Sequence, residues 1–210
     1  MDELRFREFD AKDISKCSEL VVDAWPIVNA LGTKEDVNKF ISIFIELTLL
    51  SSTWREVVCV SDNIIGLLFG RINSDYRNKF KAFFSILSIG MKIILWKYKG
   101  VSKRLTLLRK IISTEIKVML NSPKSDGEVT FFIVDSKYRG KGIGRMSMDR
   151  FIDTAKKKNA KMISVYTEQE SNWRFYENYG FRKYRTFYDD MTSFFRKEDI
   201  NGFIYTINLQ

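Results

Sequence analysis

The chain has 210 residues, 45% of them hydrophobic and 29% charged, with two prolines; that suffices for one well-buried core and excludes a disordered tail or a collagen-like repeat. It contains no histidine and two isolated cysteines, Cys17 and Cys59, so zinc sites, Cys/His nucleophiles and Ser/His/Asp triads are excluded by inventory, and any chemistry falls to carboxylates, tyrosine, lysine or backbone groups. The net charge of +9 is concentrated: between Ser74 and Ser125 twelve Lys and Arg stand against Asp75 and Glu115, a local +10 that leaves −1 for the rest.

The N-terminus MDELRFREFDAKD lacks a basic-then-apolar signal pattern, which implies a reducing cytoplasm where two free thiols are harmless. LRFREF (4–9) alternates like a half-buried strand, and AKDISKCSELVVDAW after Asp10 has the spacing of an amphipathic helix. A second helix is expected from Thr33 through FISIFIELTLL, and REVVCVSDNIIGLLFGRI reads as a hairpin turning at Ser61-Asp62-Asn63.

The basic segment predicts two amphipathic helices. Over 81–99, Lys81, Ser85, Ser88, Lys92 and Lys99 share one face, with Phe84, Leu87, Met91, Ile94 and Leu95 turned away. Over 101–120, Val101, Leu105, Leu108, Ile112, Ile116 and Met119 form one stripe, opposite Lys103, Lys110 and Lys117. AFFSILSIGMKIILW is interrupted by Lys92 and falls short of the roughly 20 residues that span a bilayer, so no transmembrane helix is expected. After a loop at 121–127 come a strand EVTFFIV, a glycine-rich turn, a helix from about 143 to 158 and a strand KMISVYT (161–167). A short helix in SNWRFYENYG closed by Gly180 and two strands, FRKYRTFY and GFIYTINL, complete the chain. Paired strands at both ends and alternation in the second half imply an α/β (α+β) fold: a mixed sheet with helices on its faces, in one domain over 1–210 that contains the basic helical insertion at about 74–125.

The turn VDSKYRGKGIGR (134–145) decides the function class. It lacks the spacing of a Walker A loop, and its glycines are not those of a dinucleotide fingerprint. Arg139-Gly140-Lys141-Gly142-Ile143-Gly144 fits R/Q-x-x-G-x-G/A between a strand and a helix. Glycines there aim backbone N–H groups into one concavity, the following helix adds the positive end of its dipole, and Arg139, Lys141 and Arg145 add charge. Such a nest suits a pyrophosphate; the plain alternative is a strand-to-helix turn with a basic rim.

With the later Asn172-x-x-Phe175-Tyr176-x-x-x-Gly180-Phe181, this loop makes residues 128–190 resemble the acyl-CoA-binding core of the GCN5-related N-acetyltransferase (GNAT) superfamily. The resemblance implies a mostly antiparallel central sheet flanked by helices, acetyl-CoA as co-substrate with no metal, and N-acetyl transfer to a small-molecule or peptide amine in a ternary complex. It implies that Arg139, Gly140, Lys141, Gly142, Ile143 and Gly144 hold the CoA pyrophosphate, and that Ile133 and Val134 hydrogen-bond the pantetheine arm through their backbone. Val134 N–H would also polarise the thioester carbonyl. Tyr176 matches the family's general acid: a phenol of pKa about 10 is protonated at neutral pH and can donate to a thiolate whose conjugate acid lies near 8.5. Asn172 would cap the Tyr176 helix and reach the pantetheine amides. Glu128, eleven residues before Arg139, stands where some members carry a catalytic glutamate and is the candidate base; its bland reading is an exposed carboxylate at a loop–strand junction. Asp135-Ser136-Lys137 departs from the proline-containing turn of many members and brings a negative charge near the phosphate site.

For the basic insertion three readings stand: a solvated cover of the sheet, a lid over the acceptor that would favour acidic acceptors over polycations, or a contact through 81–119 with a membrane surface or a nucleic acid; separately, a homodimer is a candidate assembly. The competing function class is a non-catalytic acyl-CoA-binding module docked through these helices. Cys17 and Cys59, far from the motifs, read as small core residues.

Overall fold

The computed structural model describes residues 3–24, 33–75 and 101–209. Strand β1 (Leu4–Glu8) leads into a 3-10 turn, Ala11–Asp13, with a reciprocal cap: Asp10 accepts from Lys12 N, and the Asp13 carboxylate accepts the Asp10 N–H at 2.8 Å. Asp13 also takes a bidentate pair from Arg7 at 2.6 and 2.8 Å, tying the turn back to β1 and holding the buried Asp13 carboxyl below the usual carboxylate range. Helix α1 (Ile14–Ala24) continues from this turn. Helix α2 (Lys34–Ser51) starts where Thr33 Oγ1 accepts the Asp36 N–H at 3.1 Å. Strands β2 (Trp54–Val60) and β3 (Asn63–Ile72) join through Ser61 and Asp62, with Ser61 at φ 53°. Then come α3 (Val101–Asn121), β4 (Gly127–Val134), α4 (Ile143–Lys157), β5 (Met162–Glu168), α5 (Arg174–Tyr179), β6 (Arg182–Tyr188), α6 (Asp190–Arg196) and β7 (Asn201–Asn208).

The seven strands form one sheet in the order β1-β2-β3-β4-β5-β7-β6, antiparallel except for β4 beside β5. One face buries Cys17, Val21, Ile41, Ile45, Leu67, Phe69, Phe131 and Ile133 under α1 and α2. The other buries Leu68, Val129, Met148, Phe151, Ile163, Tyr176 and Tyr205 under α4 and α5. Phe151 is fully buried, and covering a side chain of this size stabilises the fold by about 1.5–3 kcal/mol. Glu56 of β2 holds α4 to the sheet through Arg150, with Nε 2.8 Å and Nη2 2.7 Å from Oε1.

A register shift between Phe69 and Gly70 makes Thr130 an extra residue in β4, because Phe69 faces Phe131 while Gly70 faces Val129. Val129 and Phe131, which plain alternation would put on one face, therefore enter opposite cores. A Cβ on Gly70 would overlap the Phe151 ring, so Gly70 faces α4, and its neighbour Arg71, with Glu128 opposite, faces the α1–α2 side.

Two sequence expectations change. Helix α6, within the link between the last two strands, was not foreseen; Asp189 caps it by accepting from Met191 N at 3.0 Å and Thr192 N at 3.1 Å. Helix α3 is present, but rotated about its axis from the expected orientation. Its polar side meets α6: Lys110, Ser113 and Lys117 all bond Asp190, and Thr114 Oγ1 donates to Asp189 at 2.8 Å. Ile112, Ile116 and Met119 are instead 54%, 47% and 69% exposed. The cause is the pair of aspartates at the start of α6, which supply anionic acceptors that the lysines and hydroxyls of α3 satisfy. The side chains of Val101, Lys103, Leu105 and Leu108, and the helix expected over 81–99, lie outside the described residues. Among those described, no helix is long and apolar enough to cross a membrane.

Candidate active site

The glycine turn begins where β4 ends. Asp135 N–H closes the ladder on Ile65 O at 2.8 Å, and the Asp135 carboxylate accepts Lys137 N–H at 2.8 Å, capping the 3-10 turn Ser136–Tyr138. The carboxylate that looked adverse to a phosphate is thus engaged in holding the turn. Arg139 Nε then donates to Val134 O at 3.0 Å, bending the chain across the strand end. Gly140 and Gly142 sit at φ +76° and +79°, and a Cβ on either would meet nothing within 4 Å. Their backbone conformation requires glycine, while the space beside them is open.

Gly142 is the N-cap of α4 and supplies no side-chain cap; the first intrahelical bond is Met146 N–H to Gly142 O, 3.0 Å. The N–H groups of Ile143, Gly144 and Arg145 are left without intrahelical partners at the positive end of the helix. Ile143 is 4% exposed and anchors this end in the core. Gly144 has a different role from its two neighbours in the motif. Its Cβ would lie 3.2 Å from Phe132 and 3.3 Å from Phe175, so glycine here permits close packing of α4 on β4 and α5. Arg139, Lys141 and Arg145 are exposed at the rim, Lys141 over the Tyr138 ring (5.0 Å) and Arg145 over Tyr179 (5.4 Å).

Beside the turn the sheet opens. β4 and β5 pair only from Gly127–Ile163 to Val129–Val165, although β4 runs on to Val134 and β5 to Glu168. Antiparallel alternation, counted from the Asp135–Ile65 bond, turns the backbone groups of Ile133 and Phe131 towards β3 and those of Phe132 and Val134 into the gap. On this count Ile133, expected to pair with the pantetheine arm, turns its N–H and C=O to the β3 side, and Phe132 stands beside Val134 on the gap. Since Arg139 occupies Val134 O, the Val134 N–H remains as a donor facing the gap.

Tyr176 lies on α5, 8% exposed, stacked 6.2 Å from Tyr205 and edge-on to Phe175 and Phe181. Among the described residues its hydroxyl has no hydrogen-bond partner, and burial raises its pKa, keeping the phenol protonated at neutral pH. Asn172 is exposed and its side chain does not cap α5; the helix begins at Trp173 without a side-chain cap, and it is the Asn172 carbonyl that accepts Phe175 N–H at 3.1 Å.

Glu128 lies on the opposite face, paired with Arg71 Nη2 at 2.7 Å, its side chain 24% exposed. Burial raises its carboxyl pKa, and Arg71 opposes that rise. Next to it in the parallel register is Ser164, and two residues on, past the last β4–β5 pair, is Tyr166. Tyr166 OH donates to Asp189 at 2.5 Å, and Asp189 also accepts from Thr114 of α3, so β5, α6 and α3 meet on one fully buried carboxylate. Glu115 follows Thr114; although solvent reaches its side chain, crowding by the surrounding protein, and after it the charges of Glu128 and Asp189, raises its pKa. Burial likewise raises Glu168, two residues beyond Tyr166. The junction at Asp189 was not legible, since α6 was unforeseen and α3 was expected to face the other way; the run Asp189-Asp190-Met-Thr-Ser is an N-cap signal that marks the start of α6. Both cysteines are free and buried, and burial pushes the Cys17 thiol up to about 12, away from thiolate chemistry.

Residues 110–181 match the model of the acetyltransferase (GNAT) family. No curated protein matches the sequence. The fold is similar to those of Ard1 from Thermoplasma volcanium (15% identity, 99% of this chain and 98% of that one, TM-score 0.55) and an N-acetyltransferase from Staphylococcus aureus Mu50 (14%, 99% of each, 0.54). It is also similar to that of YncA from Salmonella typhimurium, solved with its cofactor acetyl-CoA (13%, 99% of this chain and 94% of that one, 0.52).

Proposed function

We propose that this chain, whose residues 110–181 match the GNAT family of acetyltransferases, is such an enzyme and moves an acetyl group from acetyl-CoA to a primary amine by direct attack in a ternary complex. The observation that carries this reading is the unpaired edge of β4 running into an uncapped, glycine-lined helix N-terminus: one groove offers backbone donors to an amide-bearing arm and a nest to a diphosphate. YncA, which shares the fold, binds acetyl-CoA.

Acetyl-CoA supplies an activated thioester. Gly140, Lys141, Gly142 and the N–H groups of Ile143 to Arg145 take its diphosphate, with Arg139 and Arg145 adding charge. Phe132 and Val134 pair with the pantetheine amides as an added strand, and Val134 N–H polarises the acetyl carbonyl. Asn172, exposed at the start of α5, is free to reach the same arm. On the α1–α2 side Glu128 accepts the proton that the acceptor ammonium must lose, directly or through water. The amine lone pair then forms the C–N bond as the C–S bond breaks, and Tyr176 protonates the departing sulfur. The Arg71 pair holds the Glu128 carboxylate in place for this.

Calorimetric titration of acetyl-CoA, followed by turnover of Tyr176→Phe, tests the reading. One-site binding is expected in both proteins, with kcat lowered about 10²–10⁴-fold in the variant. Stability should be unchanged, because the hydroxyl removed has no protein partner. Unchanged turnover would overturn the acid role, and binding without transfer to any amine would select the non-catalytic module instead.

A further inference from the structure

We infer that the outward face of α3 is a docking surface for an anionic membrane, on which the helix lies flat with Ile112, Ile116, Met119 and Leu120 set among the lipid headgroups. Of the seven large apolar or aromatic side chains exposed among the described residues, these four lie on α3. Their spacing of i, i+4, i+7 and i+8 puts them on one helical face. Met119 and Leu120 are 69% and 74% exposed, so the last turn of the stripe is the least covered. A single exposed apolar side chain calls for no explanation, whereas a row of four along one helix marks a contact surface.

The fold fixes this orientation. Lys110, Ser113 and Lys117 are bonded to Asp190 and Thr114 to Asp189, so α3 cannot roll its stripe inward without breaking its contacts to α6. Two of the three lysines that line up in the sequence as a track for phosphates are thereby engaged, and the apolar side is what α3 presents.

Charge decides the occupant. Helix α3 carries Lys103, Arg104, Arg109, Lys110 and Lys117 against Glu115, and residues 76–100, which lead into it, hold six Lys and Arg and no acid. Arg109 precedes Ile112 by three residues on the same face and Lys124 follows the helix, both exposed; Glu115, exposed on the flank of the stripe, is the one acid of α3. A second copy docked through α3 would set the local +10 of residues 74–125 against its own like charge. A nucleic acid would answer the cations and leave the isoleucines, methionine and leucine without a partner. An anionic bilayer answers both, its phosphates meeting the cations and its acyl boundary the apolar row. Among the described residues no helix is long and apolar enough to cross a membrane, so α3 is read as lying on the surface.

Co-sedimentation of the full chain with vesicles of phosphatidylcholine, alone or mixed equally with phosphatidylglycerol, tests the inference. A second measurement uses Met119→Cys carrying a polarity-sensitive fluorophore, the native Cys17 and Cys59 being buried. Expected are binding to the mixed vesicles only, weakening as salt rises, and a blue shift of the label when they are added. The triple variant Ile116→Ser, Met119→Ser, Leu120→Ser should lose about tenfold or more in vesicle affinity with its melting temperature unchanged, because the side chains it shortens are exposed. No binding to the mixed vesicles, or binding of a duplex oligonucleotide in their place, would overturn the inference. So would vesicle binding that the triple variant retains in full, which charge alone would then explain. A label already blue-shifted without vesicles and unmoved by them would mean that another part of the chain covers α3, and self-association abolished by the triple variant would make the occupant a second copy; either result overturns the membrane assignment.

Discussion

Gly142→Ala separates a ligand site from a mere turn, because the structure makes its two costs calculable apart. Gly142 sits at φ +79° and ψ −5°, a left-handed conformation that costs an alanine about 1–2 kcal/mol. The added methyl meets no protein atom within 4 Å, so no packing cost joins the backbone strain. For a chain of this size the melting temperature should fall by about 2–8 °C. If the open space beside Gly142 is where a diphosphate lies against the N–H groups of α4, the methyl intrudes on it and weakens at least one hydrogen bond to a charged group. That is about 1.5–3 kcal/mol, or roughly 10- to 150-fold in the acetyl-CoA Kd. Gly144→Ala is the contrasting control. Its methyl would press on Phe132 at 3.2 Å and Phe175 at 3.3 Å, so its cost falls on packing. Calorimetry and thermal denaturation on the two variants read both quantities. A folded Gly142→Ala protein that binds acetyl-CoA within twofold of the parent would refute the nest.

Asp189→Ala removes an N-cap, worth about 1 kcal/mol, and leaves the Thr114 and Tyr166 hydroxyls without their acceptor at about 1–3 kcal/mol each. A melting temperature lowered by about 10 °C is expected; a change within 2 °C would show that α3 is held to the sheet by something else. The pH dependence of turnover carries a sign. Glu128 must be ionised to accept a proton, and its pKa is raised, so kcat/KM should fall as pH drops through a value above the ordinary carboxylate figure of about 4.3. The same shift makes the fold lose stability as pH rises from that ordinary value towards the raised one. Glu128→Gln should abolish both effects, and an acid limb that persists in the variant assigns it to another group.

Local signals in the sequence were strong where one residue's backbone chemistry decides the outcome. Asp10 and Thr33 at helix starts, Ser61-Asp62 in the hairpin, Gly140 and Gly142 at positive φ and Gly180 closing α5 each act within a few residues, so strand, helix and turn positions were legible, as was the phosphate-loop motif. Whatever depends on a second segment was not. The extra residue Thr130 in β4 shows only against the register of β3, yet it puts Val129 and Phe131 into different cores and decides which strand groups enter the gap. The rotation of α3 depended on Asp189 and Asp190, some 75 residues away, because an amphipathic pattern states that two faces differ but not which one a partner will cover. Periodicity follows from the chain alone, whereas the direction a face turns is settled by the charges and hydroxyls that tertiary packing brings opposite it.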